Sequence, residues 1–164
     1  MKAALVGNPN AGKTSVFNLL TGLNQKVGNY PGITVDKKWG HFHYQGTDVE
    51  LLDLPGVYSI YPKSQDEEVV FQVLRQKDHR DHPDLVIVVM DATNLERNLF
   101  LATQILDLGI PTLLVANMID LMDKDHVGVN LEKLSELLGG VPLVPFNART
   151  GQDLALLKSA LLEV

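Results

Sequence analysis

The sequence predicts an α/β fold built on a mostly parallel sheet, and three patterns lead to that prediction. Residues 3–6 form a short apolar run that is followed by a glycine-containing loop and then by helical spacing. Residues 85–90 and 111–116 are continuous apolar runs, which are typical of strands buried on both faces of a parallel sheet. Residues 37–44 and 48–52 flank a Gly-Thr turn, which predicts an antiparallel hairpin.

The composition is that of one ordinary globular domain. The chain has 164 residues and no cysteine, so disulfide and zinc–thiolate chemistry are excluded. A formal net charge of -6 and an isoelectric point near 5.2 argue against nucleic acid as a partner. No apolar run approaches the roughly 18 residues of a membrane-spanning helix. We therefore expect the chain by itself to be soluble.

The remaining elements follow from apolar spacing and stop signals. Thr21-Gly22 ends the first helix, and residues 23–36 form a long loop rich in Gly, Asn and Pro, of the kind that is often functional. Apolar spacing predicts four further helices, at residues 66–76, 93–108, 131–138 and 154–162. A last strand is predicted at residues 141–145, before the final helix.

Residues 7–14 read Gly-Asn-Pro-Asn-Ala-Gly-Lys-Thr, a complete phosphate loop between a predicted strand and a predicted helix. Gly7 and Gly12 permit turns that let successive backbone N–H groups converge on a phosphate at the helix N-terminus. Lys13 adds a positive charge at the β and γ phosphates, and the Thr14 hydroxyl is placed to ligate Mg²⁺. The loop therefore predicts a nucleotide site.

Two later motifs supply what a magnesium-bound triphosphate needs. Thr34 lies in the long loop, where its hydroxyl can reach the metal ion when a γ-phosphate is present. Asp53 and Gly56 form a D-x-x-G element at the end of a predicted strand. The carboxylate suits the shell of Mg²⁺, and Gly56 leaves its N–H open to a γ-phosphate. Each element alone would be an ordinary loop or turn, so the prediction rests on their combination.

A fourth motif points to the base. Asn117 and Asp120 form an N-x-x-D element at the end of another predicted strand. The Asp120 carboxylate can accept hydrogen bonds from N1–H and the 2-amino group of guanine, a donor pair that adenine lacks. Asn117 is expected to tie the base loop to the phosphate loop. Further on, the Ala148 N–H can donate to guanine O6, although residues 147–151 also fit a plain loop.

In order and spacing these motifs resemble those of the translation-factor-class GTPases. A closer resemblance is to the intracellular G domain of the bacterial ferrous iron transporter family FeoB. It rests on residues 7–14, 27–35, 53–59 and 91–99, of which the second and fourth stretches are the most family-specific.

The resemblance implies a Ras-like fold with a six-stranded, mostly parallel sheet, one antiparallel strand and helices on both faces. It implies a Mg²⁺-dependent GTPase that slowly hydrolyses GTP to GDP and phosphate and regulates Fe²⁺ uptake. Residues 1–164 would be one G domain, with the family's helical and transmembrane parts outside this chain. The expected partner is the membrane-embedded iron-permeation domain of the same longer polypeptide, at the cytoplasmic face of the bacterial inner membrane; homo-oligomerisation is left open.

The site residues carry over from the matching motifs. We assign catalytic roles to Lys13, Asn10, Thr34 and Gly56, and magnesium ligation to Thr14, Thr34 and Asp53. The other predicted nucleotide contacts are Gly7, Asn8, Pro9, Ala11, Gly12, Ser15, Gly32, Ile33, Leu54, Pro55, Asn117, Met118, Asp120, Asn147, Ala148 and Arg149.

Val57 departs from Ras-type catalysis. It follows Gly56, where those enzymes carry a glutamine that orients the attacking water, and an isopropyl group cannot hydrogen-bond water. GTPases that resemble this chain hold K⁺ with the asparagine matching Asn10 and with carbonyls around Asn29 and Tyr30. Stimulation by K⁺ is therefore a hypothesis that the resemblance implies.

Two other functions stay open on the sequence alone. A soluble GTPase of ribosome assembly or tRNA modification would share Asn10 and Val57; an RNA-binding extension or basic face would favour it, and the acidic balance and lack of an extension weigh against it. A GTP-dependent binding module with incidental hydrolysis would use the same loops to recruit or release a partner.

Overall fold

The computed structural model describes residues 1–122 and 128–164. Its strands are β1 (Lys2–Gly7), β2 (Gln25–Asn29), β3 (Asp36–Tyr44), β4 (Thr47–Asp53), β5 (Leu85–Asp91), β6 (Thr112–Asn117) and β7 (Leu143–Pro145). Its helices are α1 (Lys13–Thr21), α2 (Gln65–Arg75), α3 (Leu95–Leu106), α4 (Ile119–Met122), α5 (Leu131–Leu137) and α6 (Leu154–Glu163), and a 3₁₀ turn (Ala92–Asn94) precedes α3.

The strands form one sheet in the order β2-β3-β4-β1-β5-β6-β7. β3 is antiparallel to both of its neighbours, and all other pairings are parallel. The prediction of a mostly parallel α/β sheet with one antiparallel strand is therefore confirmed.

The predicted strand count is wrong by one, because the sheet has seven strands and not six. The additional strand is β2, which lies inside the stretch 23–36 that the sequence predicted as loop. β2 is an exposed edge strand with sequence Gln-Lys-Val-Gly-Asn, so it lacks the alternation of a half-buried strand. Its pairing with β3, from Gln25 opposite Gly40 to Asn29 opposite Asp36, defines it instead.

Alternate residues of the central strands feed two separate cores. In β1, Ala3 and Leu5 point into a core that α1 and α6 cover, whereas Ala4 and Val6 point into a core that α2 and α3 cover. Strands β5 and β6 are buried almost throughout, as their continuous apolar runs predicted.

The parallel strands bring their carboxyl ends to one edge of the sheet. Leu5 is level with Asp53 of β4, Gly7 is level with Val89 of β5, and Asp91 is level with Asn117 of β6. The loops that follow β1, β4 and β6 carry the sequence motifs, so they meet at this edge, where open α/β sheets bind ligands.

Within the described ranges, no helix combines the length and the apolar character that crossing a bilayer requires.

Candidate functional site

The phosphate loop is a tight turn between β1 and α1. Asn10 and Gly12 have φ of 65° and 87°, in the left-handed region. A Cβ built on Gly12 would lie 2.1 Å from Asn117 Nδ2, and one built on Gly7 would lie 2.6 Å from the Val89 carbonyl oxygen. Both positions therefore exclude a side chain, and the loop is pressed against the ends of two other strands.

Lys13 and Asp53 form a buried ion pair at the start of α1. The Lys13 ammonium contacts Asp53 Oδ1, and the two side chains are 11% and 6% exposed. The pair lines an open cleft of about 640 Å³ whose other predicted members are Thr14, Thr34, Leu54, Pro55 and Gly56. The structure thus brings the phosphate-loop lysine, both candidate magnesium hydroxyls and the D-x-x-G element to one place.

The residues around this cleft fit a magnesium ion that binds together with phosphates. Thr14 and Thr34 offer hydroxyl oxygens and Asp53 offers a carboxylate, which are the hard ligands that Mg²⁺ takes. Elsewhere in the described residues, no three His, Asp or Glu side chains cluster as an independent metal site. A site with so few protein ligands matches a metal ion that relies on substrate phosphates and water for the rest.

The D-x-x-G turn is held against the phosphate loop. The Val57 N–H donates to the Gly7 carbonyl at 3.1 Å, and the Val57 side chain is buried in the core. A Cβ on Gly56 would lie 3.3 Å from the Pro9 backbone. Val57 therefore cannot face the cleft, and no side chain takes the place of the water-orienting glutamine at that position.

The potassium hypothesis finds only part of its site. Asn10 lines a second cleft of about 510 Å³ with Lys13 and Gly56, so its amide can face a nucleotide. Asn29 and Tyr30 are not among the residues lining that cleft, and the Tyr30 carbonyl already accepts from the Ile33 N–H at 3.3 Å. Of the three predicted contacts, Asn10 lines this cleft, and potassium binding stays a prediction.

Asn117 joins the two ends of the site, as the sequence led us to expect. Its Nδ2 donates to the Ala11 carbonyl at 2.9 Å, and its Oδ1 accepts from the Ala148 N–H at 3.0 Å. The side chain is buried, so the phosphate loop and the loop after β7 share one amide. The Ala148 N–H that we assigned to guanine O6 is thus already used, and a bound base would have to share it.

Asp120 is also engaged in this structure. Arg149 Nη2 donates to Asp120 Oδ2 at 3.0 Å, with the two side chains 78% and 29% exposed, respectively. Met118, which lies between β6 and α4, has a φ of 63°, so the chain turns sharply after β6. The carboxylate predicted to select guanine is therefore on the surface and paired with an arginine.

Not every predicted contact reaches the cleft, and some lining residues were missed. Gly32 and Ile33 lie in the turn beside Thr34 but outside the lining of either cleft. Among the missed residues is Gln65, whose Oε1 accepts from Thr34 Oγ1 at 3.4 Å. The others that line the phosphate cleft are Val35, Asp36, Lys38 and Asp66.

A capping signal in the sequence could have located Gln65. Ser64 caps α2 by accepting from the Glu67 N–H, and Glu67 Oε2 accepts from the Lys63 N–H. The S-x-x-E spacing of Ser64 and Glu67 is a known helix-start signature, and it places Gln65 at the first helical position. The same signature places Asp66 at the second helical position.

Comparison with known proteins finds relatives that match nearly the whole chain. The Fe(2+) transporter FeoB of Leptospira biflexa is 43% identical over 157 residues, which is 96% of this chain and 22% of that protein. The G domain of the Thermotoga (T. maritima) FeoB iron transporter superposes with a TM-score of 0.90 at 41% identity, covering 99% of this chain and 97% of that one. A GDP-bound mutant of the S. thermophilus FeoB G-domain gives 0.89 at 44% identity, covering 98% and 59%.

The chain thus spans only about a fifth of the length of the curated relatives it matches. The family model described as ferrous iron transport protein B matches residues 1–161, which is nearly the whole chain. With that match, and with FeoB G domains superposing over almost every residue, this chain belongs to the ferrous iron transport protein B family.

Proposed function

We propose that this chain is a Mg²⁺-dependent GTPase that hydrolyses GTP to GDP and phosphate. One observation carries the proposal: Asn117 bonds at once to the phosphate loop and to the loop beside Asp120, so phosphate-binding and base-selecting groups form one continuous site. The GDP bound to the related S. thermophilus G-domain supports the same assignment.

The phosphate end does its work by exchanging charged partners. In the structure Lys13 forms an ion pair with Asp53. Lys13 would bind the β and γ oxygens of a triphosphate, and Asp53 with the hydroxyls of Thr14 and Thr34 would hold Mg²⁺. A bound Mg²⁺ would neutralise phosphate charge that grows as the terminal bond breaks. The phosphate-loop N–H groups contribute to the same stabilisation.

Hydrolysis by this site should be slow. No glutamine follows Gly56, and Val57 in that position is buried in the core. Catalysis would then come from positioning the phosphates and the attacking water. No side chain would act as the base that removes a proton from this water.

Guanine selection follows from Asp120. Guanine presents two parallel N–H donors to the carboxylate, whereas Arg149 donates through Nη2 alone in the structure. A guanine base could therefore replace Arg149 without leaving Asp120 unpaired. Adenine would also displace Arg149, but it offers no N–H donors in place of guanine N1–H and the 2-amino group.

The biological role we propose is regulation of ferrous iron uptake. The relatives are named as Fe(2+) transporters and are about five times longer than this chain. The G domain would sit at the cytoplasmic face of the bacterial inner membrane and act on a membrane-embedded permeation domain of the same polypeptide. Its GTP and GDP states would differ in the loops at residues 25–36 and 54–66.

Single-turnover GTP hydrolysis with Mg²⁺, measured in KCl and separately in NaCl, tests the activity. Measurable turnover that is abolished by a chelator supports the Mg²⁺-dependent GTPase. Faster turnover in K⁺ that is lost in Asn10→Ala supports a cation site at Asn10, and equal rates discard it. Tight GDP binding with no turnover in either salt would reject the enzyme in favour of a GTP-dependent binding module.

A further inference from the structure

A buried ion pair lies beneath the loop that carries Thr34. Lys37 Nζ donates to both oxygens of the Asp81 carboxylate at 2.7 Å, and the two side chains are 10% and 13% exposed. Lys37 is the second residue of β3, and Asp81 lies in the connector between α2 and β5. The pair therefore fixes the beginning of β3 to a distant segment of the chain.

Aromatic rings enclose the lysine. Its ammonium lies 5.7 Å from the centroid of the Tyr30 ring and 5.5 Å from that of the Trp39 ring, within the range of cation–π attraction. Tyr30 is only 5% exposed, and its hydroxyl has no hydrogen-bond partner among the residues that the structure describes. Burial, aided by the negative charges of Asp81 and Asp53, raises the pKa of Tyr30 above its ordinary value, so the ring stays neutral.

Tyr30 in turn closes the loop on which Thr34 sits. The Tyr30 N–H donates to the Val35 carbonyl at 3.1 Å, and the Ile33 N–H donates to the Tyr30 carbonyl at 3.3 Å. Tyr30 and Val35 pack in the core, whereas Thr34 between them points to the phosphate cleft. The turn is thus anchored at both ends, by Tyr30 on one side and by β3 with Lys37 on the other.

We propose that Lys37 and Asp81, acting through Tyr30, are positioning residues that hold the Thr34 hydroxyl at the phosphate cleft. The inference rests on the proposed function, because it concerns the ligand that Thr34 would provide. A threonine in such a loop contacts the magnesium and γ-phosphate of GTP and is released when the γ-phosphate leaves. The anchor therefore supports the triphosphate state of the site and leaves GDP binding to the phosphate loop.

The Lys37–Asp81 ion pair is the anchor of the loop that carries Thr34. A variant that tests this anchor must remove the ion pair without leaving one buried charge unpaired. Removing one partner of a buried pair leaves the other uncompensated, so Lys37→Met and Asp81→Leu should each destabilise the domain. Replacing both partners by apolar residues is often neutral or stabilising. The double variant Lys37→Met/Asp81→Leu therefore keeps the burial and removes the bidentate link, together with the ammonium that lies over the Tyr30 and Trp39 rings.

A matched control is available at the neighbouring residue. Arg80 Nε lies 3.6 Å from Asp81 Oδ2, and the arginine side chain is exposed. Arg80→Met removes a positive charge beside the same carboxylate but leaves the Lys37 bonds in place. Any effect shared by the control would come from general electrostatics and not from the anchor.

The experiment measures equilibrium binding of GDP and of a β,γ-imido GTP analogue, each with Mg²⁺. In the double variant we expect analogue affinity to fall about tenfold, the scale seen when support of a metal ligand is lost, with GDP affinity within about twofold of the parent. Urea unfolding of all variants checks that the double variant is folded, and a rise in the Mg²⁺ concentration needed for analogue binding would be a second sign.

The remaining outcomes overturn the inference. If both affinities fall together, or if neither changes, or if Arg80→Met reproduces the loss, Lys37 and Asp81 have a structural role only. A parent protein that binds neither nucleotide would reject the proposed function itself, so the two failures are distinguishable.

Discussion

The two ends of the nucleotide site each carry one ion pair, and the two pairs differ sharply in burial. At the phosphate end, Lys13 and Asp53 are nearly inaccessible to solvent. At the base end, Asp120 is partly exposed and Arg149 is largely exposed. In our proposal each pair includes a group that binds the nucleotide, so a bound nucleotide would replace one partner in each pair.

From this difference in burial we expect the phosphate end to provide most of the affinity for the nucleotide and the base end to select among bases. A buried charge is costly to leave unpaired, so Lys13 can leave Asp53 only when phosphates and a cation replace both partners. An exposed pair is worth little, so the neutral donor edge of guanine can displace Arg149 at small cost. The phosphate end should therefore be sensitive to any change, and the base end should tolerate exchange of donors.

The largest expected effect tests the phosphate end. Lys13→Met should lower single-turnover GTP hydrolysis by about 100-fold or more, the scale of losing one donor that stabilises developing charge. It also leaves Asp53 buried without its cation. The control is Lys133→Met, at an exposed position on α5, which should leave the rate unchanged. A loss of less than tenfold would contradict the assigned role of Lys13.

The next effect concerns the link between the ends. Asn117→Ala removes two hydrogen bonds and leaves the Ala11 carbonyl and Ala148 N–H unsatisfied, so it should lower the free energy of unfolding by about 2–4 kcal/mol. Urea unfolding of the nucleotide-free protein measures this loss. The exposed Asn24→Ala should change stability by less than about 0.5 kcal/mol. Equal effects of the two variants would mean that the ends are not coupled through Asn117.

A smaller effect is expected for base selection. Asp120→Asn should weaken GDP binding by about 10- to 100-fold, since a bidentate contact to a base edge is worth ~1–3 kcal/mol. Xanthosine diphosphate should gain affinity, because its 2-oxo group can accept from the new amide. Competition binding of the two nucleotides provides the measurement. If the preference for guanine persists, the base lies somewhere other than beside Asp120.

The smallest expected effect shows whether Arg149 competes with guanine for Asp120 or contacts the bound nucleotide. If Arg149 competes with guanine for Asp120, Arg149→Ala should tighten GDP binding by up to about fivefold, as expected for release from an exposed ion pair. Titration calorimetry at fixed salt can resolve such a change. Weaker binding in this variant would instead show that Arg149 contacts the bound nucleotide.

The parts of the site that the sequence predicted are those with local signals. The phosphate loop is contiguous, and Asp53 and Asn117 end strands whose apolar runs are evident, so their meeting at one sheet edge follows from parallel pairing. The strand β2 was missed because its polar sequence takes strand form only by pairing with β3. The bond between Lys37 and Asp81 could not be foreseen either, since they are 44 positions apart and no periodicity relates them.

The close approach of Gly12 to Asn117 limits how this domain can evolve. A side chain at position 12 would displace the Asn117 amide, which could move only by breaking its bonds to Ala11 and Ala148. The two positions are therefore coupled, because a substitution at Gly12 would break the hydrogen bonds of Asn117. Variants selected for altered phosphate handling at Gly12 should lose discrimination among bases as well.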